Sequence, residues 1–338
     1  MDKPNSRRIV LLGKTGSGKS SLANTIFGET VFKINHSPIS ETGLSRAETK
    51  LVNGRNLTLI DTHSVFDTCG SEALLKAEIV RCITESAPGP HAFLIVLKVE
   101  KFTEQEKDVI KKICQYFSED ALKFAAVVFT HGDQLSDGMK IEEFVRLNES
   151  LSNLVKKCGD RCHVVDNKYW KANGDDPYRY NQFQVAELLK TTDKISEAND
   201  GRCYTNEMLE EVKREIQMEE ENLQQSSLNM TPREIKNRAK SNVFDGLMVR
   251  LVGTATGALF GAFLGVVESV SAILKNLQGS SSTSTQENHL VLNAALSSGL
   301  KGGMMGFHAA AEAKTAEEAF QKAKTAVLNN PAQSMLGD

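Results

Sequence analysis

The sequence carries almost no surplus charge: 40 lysines and arginines stand against 43 aspartates and glutamates, a net −3 at pH 7. That balance sets up no global field toward nucleic acid. No basic cluster is dense enough to track a phosphate backbone either, so nucleic acid is excluded as a partner. The chain also lacks any CxxC pair. Its six cysteines (Cys69, Cys82, Cys114, Cys158, Cys162 and Cys203) stand apart, several in apolar or helical contexts. With no secretory leader in view, they are expected as reduced thiols in a cytoplasmic setting. Cys158 and Cys162 have no second pair of soft ligands at suitable spacing, which argues against zinc. Long apolar runs are scarce as well. The stretch Leu251–Val267 has seventeen residues without a formal charge. That is the lower limit for crossing a bilayer core of about 30 Å, and its glycines and threonines lower its hydrophobicity.

What the sequence does contain is a phosphate-binding loop. The octapeptide Gly13-Lys14-Thr15-Gly16-Ser17-Gly18-Lys19-Ser20 follows the apolar run Ile9–Leu12 and fits GxxxxGK[ST]. Glycines let successive backbone N–H groups curl around phosphate oxygens. Lys19 is placed to reach the β- and γ-phosphates, and the Ser20 hydroxyl to bind Mg²⁺. The helix that follows, from Ser21 to Phe27, points its positive end at the same anion. Such a protein needs a second carboxylate on the metal side. Asp61, ending the apolar strand Leu57–Ile60, fits that role through water; the plainer reading is a strand-end aspartate capping a turn.

At 338 residues there is room for two domains. Short apolar runs at Arg8–Leu12, Leu57–Asp61, His91–Val99, Phe124–Thr130 and Cys162–Val165 read as parallel strands buried on both faces. Amphipathic stretches at Ser71–Glu85, Thr103–Phe117, Ile141–Lys157 and Asn181–Lys194 read as helices between and after them, the second opened by a Thr103–Glu106 capping box. Asn53-Gly54 marks a tight hairpin that adds one antiparallel edge strand. The predicted fold is α/β, a P-loop three-layer sandwich with a mostly parallel sheet, followed by a helical, glycine-rich C-terminal region. Five segments are expected: a nucleotide-binding domain over 6–200, a charged helical extension over 201–242 and a hydrophobic glycine-ladder helix over 243–278, then a Ser/Thr linker over 279–287 and a Gly/Ala-rich helical region over 288–330. The charged stretch from Tyr204 to about Ser226 reads most simply as a solvated helix leaving the domain. Thr231-Pro232-Arg233-Glu234 restarts a helix, with Thr231 at the N-cap and Pro232 at N1.

Base choice is carried by Phe129-Thr130-His131-Gly132-Asp133-Gln134-Leu135, directly after an apolar strand. A carboxylate at that edge accepts both N1–H and the exocyclic amine of guanine, a donor pair that adenine lacks. Asp133 therefore argues for GTP or GDP, against the alternative of an ordinary βα turn. The segment is a variant of [NT]KxD, with His131 where a lysine usually stacks on the base; imidazole stacks similarly but with a fractional charge. Asp166-Asn167-Lys168 would supply the remaining wall of the pocket, with Asn167 the candidate contact.

These residues resemble a known family. The P-loop with Ser21, the Phe129–Leu135 segment, His91–Val96 leading to Lys101-Phe102-Thr103-Glu104, and Gly201–Met208 look like the GTPases of immunity-associated proteins, an AIG-type G domain on a septin-related branch. The resemblance covers about residues 6 to 225. It implies a GTP-binding domain that uses Mg²⁺, pairs with a second copy across the nucleotide face, and often sits on intracellular membranes in immune or stress settings. It places Thr42 at the first-switch threonine, which closes on Mg²⁺ and the γ-phosphate. It also puts Lys101 where a basic residue reaches toward the partner's nucleotide.

The sequence departs from that family in the second switch. Asp61-Thr62-His63-Ser64 stands where the family reads DTPG, and Val65 stands where Ras-like enzymes place a water-orienting glutamine. Ser64 keeps an N–H for the γ-phosphate, but its Cβ restricts the backbone. Lys101 offers a point charge in place of an arginine fork. His63 is either a substitute for the water-orienting group or a plain loop histidine. The expectation is a slow-hydrolysing switch or scaffold that assembles through its G domain; the alternative is a pseudo-GTPase with weak or no hydrolysis. Gly253, Gly257, Gly261 and Gly265 recur every fourth residue and would form one smooth helix face. Three readings of residues 247–274 stay open: membrane insertion or surface binding, helix–helix oligomerisation, and packing on the chain's own G domain.

Overall fold

The computed structural model describes residues 6–34, 45–62, 72–104, 107, 119–170, 176–226, 230–251, 254, 256–263, 265 and 267–278. The expected sites Thr42 and His63 lie outside these residues, as do Ser64, Val65, Glu106, the 279–287 linker and the 288–330 region.

Six strands form one sheet in the order β2-β3-β1-β4-β5-β6. They are β1 (Ser6–Leu12), β2 (Arg46–Val52), β3 (Arg55–Asp61), β4 (Ala92–Lys98), β5 (Ala125–Thr130) and β6 (Cys162–Val164). Every neighbouring pair is parallel except β2 with β3. That hairpin turns at Asn53 and Gly54, whose φ values of 48° and 76° are the two left-handed positions a tight turn of matching twist requires. The strands fall where the apolar runs predicted them, with ends shifted by one or two residues. β1 lies between β3 and β4, where the strand order reverses and a crevice opens beyond the strand ends.

Both faces of the sheet are covered, and the period of two shows in which residues serve which face. Val10, Leu12, Phe93, Ile95, Leu97, Val127 and Phe129 join one core. Ile9, Leu11, Ala92, Leu94, Val96, Ala126 and Val128 join the other. The second core is closed by α1 (Lys19–Phe27) and, across the chain, by α6 (Asn181–Ala198), through Leu22, Ile26, Val185 and Leu188. α1 begins two residues earlier than expected, at Lys19 itself. The first core lies under α2 (Glu72–Ser86), with α3 (Glu119–Lys123), α4 (Ile141–Arg146) and α5 (Glu149–Lys157) contributing Ala121, Leu122, Ile141, Val145, Leu151 and Leu154. The predicted helix Ile141–Lys157 is two helices. Asn148 interrupts it and caps α5, its side chain accepting from Leu151 N at 3.1 Å.

The C-terminal helices complete that same face. α7 (Glu207–Ser226) does not leave the sheet. Its Met208, Leu209, Val212 and Ile216 are buried in the first core while Glu207 and Glu221 are exposed. α8 (Pro232–Arg250) starts on the expected cap: Thr231 and Glu234 form a reciprocal capping box with Pro232 at the first position. α8 lies along α7 and α2. Arg250 grips Glu215 with two guanidinium nitrogens, Lys240 Nζ pairs with Glu85 Oε2 at 2.9 Å, and the Arg81 guanidinium sits 4.2 Å over the Phe244 ring.

The glycine ladder is not one helix. α8 stops at Arg250, α9 runs Thr256–Phe263, and α10 runs Val267–Gln278. Gly265 takes φ 82°, a left-handed conformation that ends α9. Asn206 Nδ2 donates to the Ala262 carbonyl at 2.7 Å, satisfying one of the orphan groups at that end. α9 packs on α2, and the buried Phe263 ring stands edge-on to Phe93, 6.0 Å between centroids. Of the three open readings, packing on the chain's own G domain is the arrangement found for α9. Among the described residues, no helix is long and apolar enough to cross a membrane.

Candidate functional site

β1 ends at Leu12 with no exposed surface, and the chain must then turn sharply over the top of β4. Gly13 makes that turn possible: a Cβ there would lie 2.4 Å from the Val96 carbonyl oxygen. The loop Lys14–Gly18 then curls back on itself, Ser17 N donating to Lys14 O at 3.2 Å, and α1 opens at Lys19 with its N-terminus facing the loop. Lys19 is buried, and its Nζ donates to the carbonyls of Gly13 (2.8 Å) and Lys14 (2.9 Å). Its charge is thus held over the hollow of the loop. Thr15 and Gly16 are exposed at the lip, Ser21 continues the first turn of α1, and Lys14 pairs with Glu100 at 3.6 Å.

Ser20 and Asp61 meet. The Ser20 hydroxyl donates to Asp61 Oδ2 at 2.5 Å, which brings a residue from α1 against the end of β3. Asp61 is only 1% exposed, yet among the described residues its Oδ1 accepts no hydrogen bond. The Ser17 Oγ of the phosphate loop is likewise buried without a hydrogen-bond partner among the described residues. Leaving a buried carboxylate oxygen unsatisfied is costly unless something fills the site. A hard cation suits an all-oxygen hydroxyl–carboxylate pair. Ser20 and Asp61 therefore fit Mg²⁺; the third expected ligand, Thr42, is outside the described residues.

The turn after β5 is bolted to the phosphate loop. Thr130 Oγ1, fully buried at the end of β5, donates to the Ser17 carbonyl at 2.7 Å. His131 follows with φ 59° and is exposed, its Nδ1 3.1 Å from the Thr130 hydroxyl. It shares a cavity of about 430 Å³ with Lys98, Lys101, Gln134 and Phe144, so two expected site residues, His131 and Lys101, border one space.

Asp133 lies next to a second carboxylate, Asp166, whose Oδ2 accepts from Asp133 N at 3.3 Å. A hydrogen bond between the two side chains, and then burial, push the Asp133 carboxyl above the usual aspartate range. Burial also pushes Asp166 upward. Hydrogen bonds from Asp133 and from the N–H groups of Tyr169, Lys168 and Asp133 outweigh it and hold Asp166 low. The two carboxyls thus titrate as a pair, with Asp133 pushed up and Asp166 held low. Asn181 fastens Asp166 in place, its Oδ1 accepting from Asp166 N at 3.0 Å and its Nδ2 donating to Asp166 O.

Asn167 rests against the phosphate loop and α1. Its Oδ1 accepts from Thr25 Oγ1 at 2.8 Å, and its Nδ2 comes within 3.3 Å of a Cβ built on Gly18. The sequence singles out neither Thr130 nor Asn181 as a site residue, and names Asp166 only within the wall that carries Asn167. Thr130 was legible, being the first position of the [NT]KxD variant. The contacts of Asp166 and Asn181 were not, because they follow from the β5–β6 register that sets Phe129 opposite Val164.

The strand order, the loop after β1 and the carboxylate at the end of β3 define a P-loop nucleotide-binding domain of the GTPase type. The chain belongs to the AIG1 family, whose model matches residues 7–224. It is 35% identical over 214 residues to immune-associated nucleotide-binding protein 8 of Arabidopsis thaliana, covering 61% of this chain and 58% of that protein. It is 31% identical over 199 residues to human GTPase IMAP family member 8, covering 59% of this chain and 29% of that protein. The chain thus spans less than two thirds of the length of these relatives. A solved structure of Arabidopsis thaliana Toc33 in complex with GDP and Mg²⁺ is similar at a TM-score of 0.45 and 21% identity, over 57% of this chain and 84% of that one.

Proposed function

We propose that this chain is a guanine-nucleotide-binding switch that holds GTP with Mg²⁺ and hydrolyses it slowly, passing its nucleotide state to the helices packed on α2. The observation that carries this reading is the Thr130–Ser17 hydrogen bond. It joins the turn bearing Asp133 to the loop bearing Lys19, so one ligand with a purine at one end and phosphates at the other would satisfy both. In this reading the loop N–H groups, Lys19 and the N-terminus of α1 hold the phosphates. Ser20, Asp61 and Thr42 hold Mg²⁺, which supplies charge neutralisation on the phosphates. Asp133 reads the guanine edge, His131 covers the base, and Asn167 braces the phosphate loop against α1.

Slow hydrolysis is supported by Val65 and Ser64 in the second switch and by Lys101, an exposed point charge. Assembly of two copies across the nucleotide face, with Lys101 near the shared boundary, follows from the family resemblance. Membrane attachment through residues 247–274 is left aside, because Phe263 and Ala262 are already buried against the G domain.

Titration with fluorescent GTP, GDP and ATP analogues, with and without Mg²⁺, tests the reading. Mg²⁺-dependent binding tighter for GTP than for ATP is expected, and the reverse order overturns it. Single-turnover hydrolysis is expected near the intrinsic rate of an unassisted Ras-type enzyme, on the order of 10⁻⁴ to 10⁻³ s⁻¹. A rate of several per second would remove the slow-switch description.

A further inference from the structure

We infer that Trp170 is a positioning residue for guanine recognition: its indole, wedged against Gly132, sets where the neighbouring Asp133 carboxylate stands. The inference rests on the guanine-nucleotide reading above and concerns how that one site achieves its selectivity.

Trp170 is the only tryptophan in the chain, and it is 8% exposed. Its six-membered ring presses on the backbone of the turn that follows β5. A Cβ built on Gly132 would lie 2.6 Å from both Cη2 and Cζ2 of the indole. Only glycine leaves room for that contact, since real Cβ atoms essentially never approach so closely. The ring is backed by Tyr178, 6.3 Å away between centroids, and Tyr178 is itself held by Ile141 N donating to its hydroxyl oxygen at 3.0 Å. The wedge therefore rests on α4 and cannot retreat without moving it.

The turn is gripped from the same side by the β6 loop. Gly132 N donates to Val165 O at 3.0 Å, and Asp133 N donates to Asp166 Oδ2 at 3.3 Å. Three contacts from one short segment, residues 165–170, thus converge on two successive residues, Gly132 and Asp133. A carboxylate that must accept two parallel donors, N1–H and the 2-amino group, needs its plane and depth set to a fraction of an ångström. Bulk hydrophobic burial of a large ring is a stiff way to set them. The phosphate loop, by contrast, is tied to the turn through Thr130, upstream of the wedge. Disturbing the indole should therefore alter base reading and leave phosphate binding in place.

The test is calorimetric titration of the full chain with GDP, IDP, ADP and inorganic pyrophosphate, alongside the emission of Trp170. IDP lacks the 2-amino group, so the GDP/IDP ratio isolates the second hydrogen bond at Asp133. In the wild-type protein, GDP is expected to shift or quench the Trp170 emission and pyrophosphate to leave it nearly unchanged. Trp170→Ala is expected to weaken GDP by roughly tenfold or more, the order of one lost hydrogen bond to a charged group. The GDP/IDP ratio should shrink with it, and pyrophosphate affinity should stay within about twofold. Gly132→Ala should do the same, and Gly132→Ala combined with Trp170→Leu should recover much of the ratio. Should Trp170→Ala fail to fold, Trp170→Phe and the wild-type emission carry the test.

An unchanged GDP/IDP ratio in these variants overturns the inference. So does a parallel loss of GDP and pyrophosphate affinity, which would mark general damage, or an emission that ignores saturating GDP. If the wild-type protein prefers ADP or binds no GDP, it is the guanine reading that falls.

Discussion

At the scale of single residues, the site turns on Asp133. Replacing its carboxylate by a carboxamide converts one acceptor into a donor, which no longer suits the N1–H and 2-amino pair of guanine but suits the 2-oxo group of xanthine. Asp133→Asn is expected to lose about 1.5–3 kcal/mol for each charged hydrogen bond to guanine, roughly tenfold to hundredfold in affinity. XDP binding should rise in the same variant. Parallel titrations with GDP and XDP check it, and unchanged GDP affinity would remove Asp133 from base reading. The Asp133–Asp166 pair adds a dependence on pH. The hydrogen bond to Asp166, and then burial, raise Asp133 above the ordinary carboxylate range, while the proposed guanine contact requires the ionised form. Affinity should therefore be constant at high pH and fall on acidification, starting at a higher pH than an isolated aspartate would give. Asp166→Asn, which removes the partner, should move that fall to lower pH. The pair's neighbours His131 and Gln134 act in the opposite direction, so the shift is smaller than two bare carboxylates would show. GDP affinity measured across pH 4 to 7 in both proteins decides it, and superimposable profiles would contradict the assignment.

Among the elements, α9 carries the clearest consequence. An eight-residue helix is far too short to hold its own shape in water, so its order comes from packing. Phe263 and Leu259 are buried, and Asn206 caps the C-terminal end. Phe263→Ala should cost about 3 kcal/mol or more of stability, through lost burial and the cavity left beside Phe93. Denaturant unfolding measures that loss. A change below about 0.5 kcal/mol, the size of an ordinary surface substitution, would mean the helix does not rest on the sheet face. This element also shows where periodicity misleads. The fourfold glycine spacing predicted one smooth face on a single helix over 243–278, yet the same glycines have low helix propensity. At Gly265 the chain uses the left-handed conformation to end the helix, and the spacing alone could not tell these two uses of glycine apart.

For the whole molecule, the decisive feature is that one sheet face is finished by helices from the far end of the chain. Phe93 in β4 meets Tyr204 and Phe263, at 5.5 and 6.0 Å between centroids. The Lys76 ammonium on α2 donates to the Leu251 carbonyl at 3.3 Å. A fragment ending near residue 205 would expose Phe93, Val80 and Ile83 to water. It is expected to bind hydrophobic dyes and aggregate, although every residue of the phosphate loop and base turn is present. Dye binding and sedimentation of the fragment against the full chain test this. A monomeric fragment with an unshifted unfolding midpoint would show that the C-terminal helices are not part of the core.

By itself, the sequence determined the chemistry that depends on local order along the chain: the loop Gly13–Ser20 after an apolar strand, the hairpin at Asn53-Gly54, the cap at Thr231, and a carboxylate, Asp133, at a strand end. Each is a short-range pattern whose physics is complete within a few residues. Only the tertiary structure decided which of these parts meet. The Ser20–Asp61 contact, the Thr130 bolt onto Ser17, the Asp133–Asp166 pair and the Trp170 wedge against Gly132 all depend on strand order and register. So does the burial of Phe263 on a face that α2 alone would leave open. Sequence pattern states which face of an element is apolar; it does not state what covers that face, because burial rewards any apolar partner nearly alike. The choice among partners is made by the fit of the whole packed fold.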